Sequence, residues 1–160
     1  FMERRDFVRA GLAGAAVGLA NSSIASSQEH QHGGGSKEAY VPPEISEELK
    51  RVAETAHDCV RHAVACIAEC NRVLATGESS MADCQEAVLS MVSVCEATAA
   101  NATMYLAGDE LLKQLVDVCR EFCDHCAEAC EPHAEHYPEC RNCMDSCKDC
   151  SEACQEYLKA

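Results

Sequence analysis

CREFCDHCAEAC, residues 119–130, and CRNCMDSCKDCSEAC, residues 140–154, place nine cysteines at intervals of three and four. That alternation is how one face of an α-helix recurs, whereas a strand repeats a face every two residues. At about 100° per residue, Cys119, Cys123, Cys126 and Cys130 span about 60°, and Cys140, Cys143, Cys147, Cys150 and Cys154 about 80°. Pro132 pushes Glu131 out of helical geometry and ends the first stripe. Pro138 suits the opening turn of the second. Two helices, each with a sulfur stripe, follow from these 36 residues.

Two more helices lie upstream. Ser46 is an N-cap with Glu47 and Glu48 in the first turn, and the pattern runs to about Ala75, where Gly77 stops it. The next helix runs from about Ser80 to Leu106 and ends at Gly108; the one after it takes Asp109 as its cap. Cys59, Cys66 and Cys70 lie within about 40° of one another, beside Val52 and Val73. Cys84 and Cys95 share a face with Val88, Met91 and Ala102. In every helix the thiols occupy the stripe that faces a core. The expected fold is all-α: an antiparallel up-down-up-down four-helix bundle with a cysteine-lined core.

Counting along antiparallel helices sets Cys70, Cys84, Cys130 and Cys140 on one level. Cys59, Cys95, Cys119 and Cys150 fall on another, roughly 16 Å deeper. Leu49, Val52, Leu106, Leu112, Leu115 and Leu158 converge as an apolar plug at the far end. The cysteine end carries Met81, His133 and His136, and reads as a mouth for entering ions. Met91, Met81 and His62 are further metal-ligand candidates, although a methionine on an inner face is more often packing. His57 and His125 read as solvated.

Fourteen cysteines stand in the chain, none before Cys59. C-x-x-x-C occurs at Cys66/Cys70, Cys119/Cys123, Cys126/Cys130, Cys143/Cys147 and Cys150/Cys154; C-x-x-C at Cys123/Cys126, Cys140/Cys143 and Cys147/Cys150. On a helix both offsets set two sulfurs side by side, close enough for one ion to bridge. A dozen bare thiolates in the interior are prohibitively costly, so metal-free cysteines stay protonated. One Cu(I) per thiolate leaves the interior neutral, and thiolates are soft ligands that suit Cu(I), Zn(II) or iron–sulfur clusters. Zinc takes four ligands per ion, which limits the load to about three or four and leaves net negative clusters. Charge balance therefore favours multiple Cu(I) ions, with the fourteen cysteines as ligand candidates and Met91 as a further one. A zinc or mixed-metal detoxifying sponge is the first alternative, a disulfide-braced structural bundle the second. Iron–sulfur signatures wrap a loop rather than continue along a helix, and redox catalysis calls for one or two exposed cysteines, not a buried column. No nucleophile triad or paired carboxylates stand out, so no enzymatic activity is expected.

The net charge of −14 repels phosphate backbones and argues against a nucleic-acid partner. It favours cations and basic proteins. Residues 1–25, with Arg4, Arg5, Phe7 and the short apolar run Ala10 to Ala20, read as a twin-arginine (Tat) export signal, too short for a permanent membrane span. Residues 26–44, with Gly33-Gly34-Gly35 and Pro42-Pro43, read as a linker in which His30 and His32 are incidental. Residues 45–160 form the bundle.

With Arg4-Arg5, four helices and the cysteine stripe together, the chain resembles the Tat-exported copper storage proteins of methane-oxidising bacteria. The resemblance implies a four-helix bundle binding many Cu(I) ions through inward cysteines, with Met and His residues adding outer ligands at the open end. It also implies a homo-oligomer (a tetramer), a periplasmic location, and a cuproenzyme or copper chaperone as partner.

Overall fold

The computed structural model describes residues 44–104 and 109–160. The expected leader (1–25), nearly all of the linker (26–44), and Leu106 and Gly108 lie outside the described residues. Four α-helices follow in order: α1 Glu47–Leu74, α2 Ala82–Met104, α3 Asp109–Cys130 and α4 Pro138–Lys159, with a single 3-10 turn, Glu131–His133, before α4. Among the described residues there is no strand.

The boundaries have local causes. Ser46 caps α1 by accepting a hydrogen bond from the Leu49 N–H at 3.2 Å, while Glu47 and Glu48 face the positive end of the helix dipole. Gly77 terminates the α1 exit with φ of 90°, a left-handed conformation that a Cβ disfavours. Asp109 is the first helical residue of α3 rather than its cap. Pro132 tightens the chain into the 3-10 turn, and Pro138 opens α4 at a position that needs no N–H donor.

The helices alternate in direction. Going up α1 from Arg51 to Cys66, the α4 partners descend from Glu156 and Glu152 to Cys140. Asn71 meets Gln85 across α1 and α2, Cys84 meets Cys130 across α2 and α3, and Cys126 meets Cys143 across α3 and α4. This is the up-down-up-down bundle. α2 is long and apolar enough to cross a membrane by length and composition alone, with a mean hydropathy of 1.2. In the bundle, Cys84, Val88, Met91 and Cys95 on its inner face are fully buried.

The plug end differs in detail from the wheel. Leu49, Val52 and Leu112 are buried there as expected, but Val116 and Tyr157 are buried where Leu115 and Leu158 are only half-buried. Neighbouring positions differ by about 100°, so a small rotation of α3 and α4 about their axes exchanges which of the two points inward. Arg51, bonded to Glu156 and at 3.2 Å to Glu152, ties α1 to α4 over this end. The pair is exposed and adds little stability.

Candidate metal centre

All fourteen cysteines are free, and each has 0 % of its surface exposed. A thiol is a small apolar group with a weak donor, so it can be buried unpaired. Here the cysteines form the middle of the core in place of Leu, Ile and Phe. Their Sγ atoms touch across helices: Cys66 to Cys140 at 3.7 Å, Cys70 to Cys84 at 3.8 Å, Cys84 to Cys130 at 3.6 Å, Cys95 to Cys119 at 3.7 Å and to Cys123 at 3.6 Å. A disulfide needs about 2.05 Å. These are hydrogen-bonding contacts between reduced sulfurs.

Five groups hold every Sγ within 4.8 Å of the others: Cys59, Cys95, Cys123 and Cys150; Cys66, Cys70, Cys84 and Cys140; Cys66, Cys130 and Cys143; Cys119, Cys150 and Cys154; Cys126, Cys143 and Cys147. Cys66 and Cys143 link three of the groups and Cys150 links the other two, and Cys147, hydrogen-bonded to Cys59 and Cys123, brings the two sets together along the bundle axis. Every one of the fourteen belongs to at least one.

The expected levels are corrected by one turn. Cys123, not Cys119, joins Cys59, Cys95 and Cys150, and Cys119 lies with Cys150 and Cys154. At the other end Cys66 rather than Cys130 lies within 4.8 Å of all three of Cys70, Cys84 and Cys140, although Cys130 stays 3.6 Å from Cys84. Counting Cα heights ignores the tilt of every Cα–Cβ bond toward its own helix N-terminus. Sulfurs on α3 are therefore displaced toward the plug and those on α2 and α4 away from it, which brings Cys123 rather than Cys119 level with Cys95 and Cys150.

The other candidates divide. Met91 Sδ lies 3.3 Å from Cys95 Sγ, within reach of the same ion. Met81 is fully buried one turn before Cys84, and with Cys70, Cys84, Cys130 and Cys140 equally sealed the expected mouth is closed in this conformation. His62 is half-buried in a cleft of about 180 Å³ between α1 and α4, separated from the sulfur column by Ser146, whose carbonyl accepts from the Cys59 thiol at 3.1 Å. His133 sits half-buried in the 3-10 turn and His136 is exposed; neither histidine joins a thiol group.

Proton affinities follow from burial and sharing. Burial first, with the charge and hydrogen bonding of Cys84 adding to it, pushes the Cys70 thiol up to about 12. Cys95 and Cys123 are also raised, in each case by hydrogen bonding with Cys119 first, and burial adds to both. Cys119 is held down to about 5, mainly by the Cys123 thiol that donates to it. Cys59 is held below the ordinary thiol value, again with Cys123 as its leading donor. One sulfur accepts while its neighbours keep their protons.

A pH prediction follows from Cys70. An unfolded thiol titrates near 9.0 and the folded one near 12, so the folded state holds the proton longer. The stabilisation this confers on the metal-free bundle is complete below pH 9 and is lost as pH rises toward 12. The urea midpoint of reduced, metal-free protein should therefore fall steadily across that window. A level midpoint there would mean that the Cys70 thiol is solvated.

The family model of the copper storage protein (Csp) matches residues 46–159, which is the whole bundle. The chain belongs to the copper storage protein family. Among curated proteins none matches. Among solved structures, the bundle is similar to a cytosolic copper storage protein from Streptomyces lividans seen during copper loading with five coppers: 27% identity, a TM-score of 0.66, 71% of this chain and 94% of that one. It is also similar to the Ccsp copper storage protein of the same organism loaded with 10 copper equivalents, at 25% identity and a TM-score of 0.67 over 74% of this chain and 92% of that one.

The first of these relatives corrects the expectation of a Tat-exported, periplasmic protein. That storage protein is cytosolic. The expectation of export rested on residues 1–25. In a reducing cytosol, unpaired thiols persist without that route.

Proposed function

We propose that this copper storage protein holds its metal as Cu(I), about one ion per thiolate, with all fourteen cysteines as ligands and Met91 as an additional sulfur donor beside Cys95. The observation that carries the reading is the continuity of the five thiol groups: each overlaps or adjoins the next, so ions can share bridging sulfurs along the axis. Each Cu(I) that replaces a thiol proton leaves the interior charge unchanged, and soft thiolates prefer it to harder ions. Nothing in the column resembles a turnover site, and the chemistry is uptake and release. A copper chaperone or a cuproenzyme as donor or acceptor, and a homo-oligomer as the working unit, complete the proposal.

The test is an anaerobic Cu(I) titration of reduced protein against a competing chelator. Roughly 12 to 14 tightly held ions are expected, whereas a capacity of about three to five points to tetrahedral zinc-like binding throughout. A capacity near zero ends the storage reading.

A further inference from the structure

The five thiol groups differ in which helices they join. Cys66, Cys70, Cys84 and Cys140 draw two sulfurs from α1, one from α2 and one from α4, and none from α3. The three-sulfur groups draw on two or three helices. Only Cys59, Cys95, Cys123 and Cys150 take one sulfur from each of the four. An ion held there closes the bundle around itself.

The shape of that quartet also selects a coordination. With a Zn–S bond of about 2.3 Å, the edges of a tetrahedral four-thiolate site are about 3.8 Å. In the quartet all six edges are below 4.8 Å, and Cys95 to Cys123 is already 3.6 Å. Shifts of the order of a side-chain libration close the remaining gaps. The site is also fully closed, with 0 % exposure at all four residues. A four-coordinate ion without an open position is the pattern of structural, not catalytic, zinc.

We propose that the Cys59–Cys95–Cys123–Cys150 quartet is a tetrahedral site for one divalent d10 ion, Zn(II) by class, which pins the four helices together while the protein is free of copper. Binding releases four protons: four thiols and one M(II) give a four-thiolate complex of charge −2 and four H⁺. That residual charge makes the pin exchangeable. At one Cu(I) per thiolate, four Cu(I) ions entering the same four sulfurs expel one M(II) and leave the site neutral, with charge conserved at +2 on each side and no electron transferred. The divalent ion thus keeps the thiol-filled interior ordered and registered, and yields it to the copper cargo. Up to this exchange the inference does not depend on how much copper the column stores.

The probe is Co(II), whose ligand-field and thiolate charge-transfer bands report tetrahedral four-thiolate coordination, added anaerobically to the reduced full-length chain. The first equivalent should give that spectrum, be displaced by Zn(II), and raise the melting temperature by on the order of 10 °C. Cys95→Ala and Cys123→Ala should abolish the first-equivalent spectrum. Cys119→Ala should leave it, although Cys119 is equally buried and 3.7 Å from Cys95. A readout that needs no variant is alkylation of the wild-type chain with and without one equivalent of Zn(II), mapped by mass spectrometry: Cys59, Cys95, Cys123 and Cys150 should be the thiols that gain most protection over the metal-free chain. The proposal is overturned by a first equivalent that is not tetrahedral, by its survival in Cys123→Ala, by equal loss in Cys119→Ala, or by protection centred on Cys66, Cys70, Cys84 and Cys140. Cu(I) capacity measured on the same samples keeps the storage reading separate, because a full copper load with no Co(II) quartet removes the pin alone.

Discussion

Reduced protein loaded with Cu(I) should melt at least about 30 °C above the same protein without metal. The metal-free bundle has little large apolar volume to hold it. Its biggest fully buried side chains are Leu49, Met81, Met91 and Leu112, followed by valines, and the rest of the interior is largely cysteine and alanine. A thiol buries less apolar area than a leucine, so the area-proportional gain per position is small. Copper adds crosslinks between helices that exist only in the folded state. An ion present at a thousand times its dissociation constant contributes about 4 kcal/mol by linkage. Three such bridging ions already match the 5–15 kcal/mol that holds a typical domain together. Parallel anaerobic melts of loaded and unloaded protein measure the difference. A shift of only a few degrees would mean that the ions sit on single helices and join nothing.

Leu112→Ala should cost about 3 kcal/mol in the metal-free protein without lowering its copper capacity. Leu112 is fully buried near the start of α3, at the end where Leu49, Val52 and Val116 are also buried. Truncation removes the transfer energy of its methyl groups and leaves a cavity into which the neighbouring side chains relax only partly. For a bundle of this size the loss corresponds to roughly 10 °C in melting temperature. Leu112 lies nearly two turns before Cys119, the first thiol of its helix, so the sulfur column keeps its geometry and the Cu(I) titration keeps its endpoint. A variant that loses copper in proportion to its lost stability would show that plug and column are one cooperative element, contrary to the division drawn here.

Much of this was legible from particular residues. Ser46, Gly77, Pro132 and Pro138 act through their own φ preferences or hydrogen-bonding groups and need no partner elsewhere in the fold. The inward stripe is legible for the same reason: Cys59, Cys66 and Cys70 lie on one side of α1 whatever α1 packs against. The compartment was misread because a leader-like segment speaks to transport, while the relative with the same bundle is cytosolic. Met81 and Met91 looked alike on α2 and its lead-in. One stands beside a thiol and the other was not distinguishable from packing, because sequence places a side chain on a face but not at a height relative to its neighbours.

By itself the sequence determined that this chain makes four helices, that each turns its cysteines inward, and that their number calls for a soft cargo. Those properties depend on the rise of 1.5 Å and the turn of about 100° per residue, which are internal to each helix. Only the tertiary structure decided that Cys123 rather than Cys119 completes the four-helix quartet, that Val116 and Tyr157 fill the plug, and that the thiol end is closed. Sliding or rotating one helix against another changes no hydrogen bond within either, so side-chain packing alone selects the register, and a shift of one turn exchanges which sulfurs can share an ion.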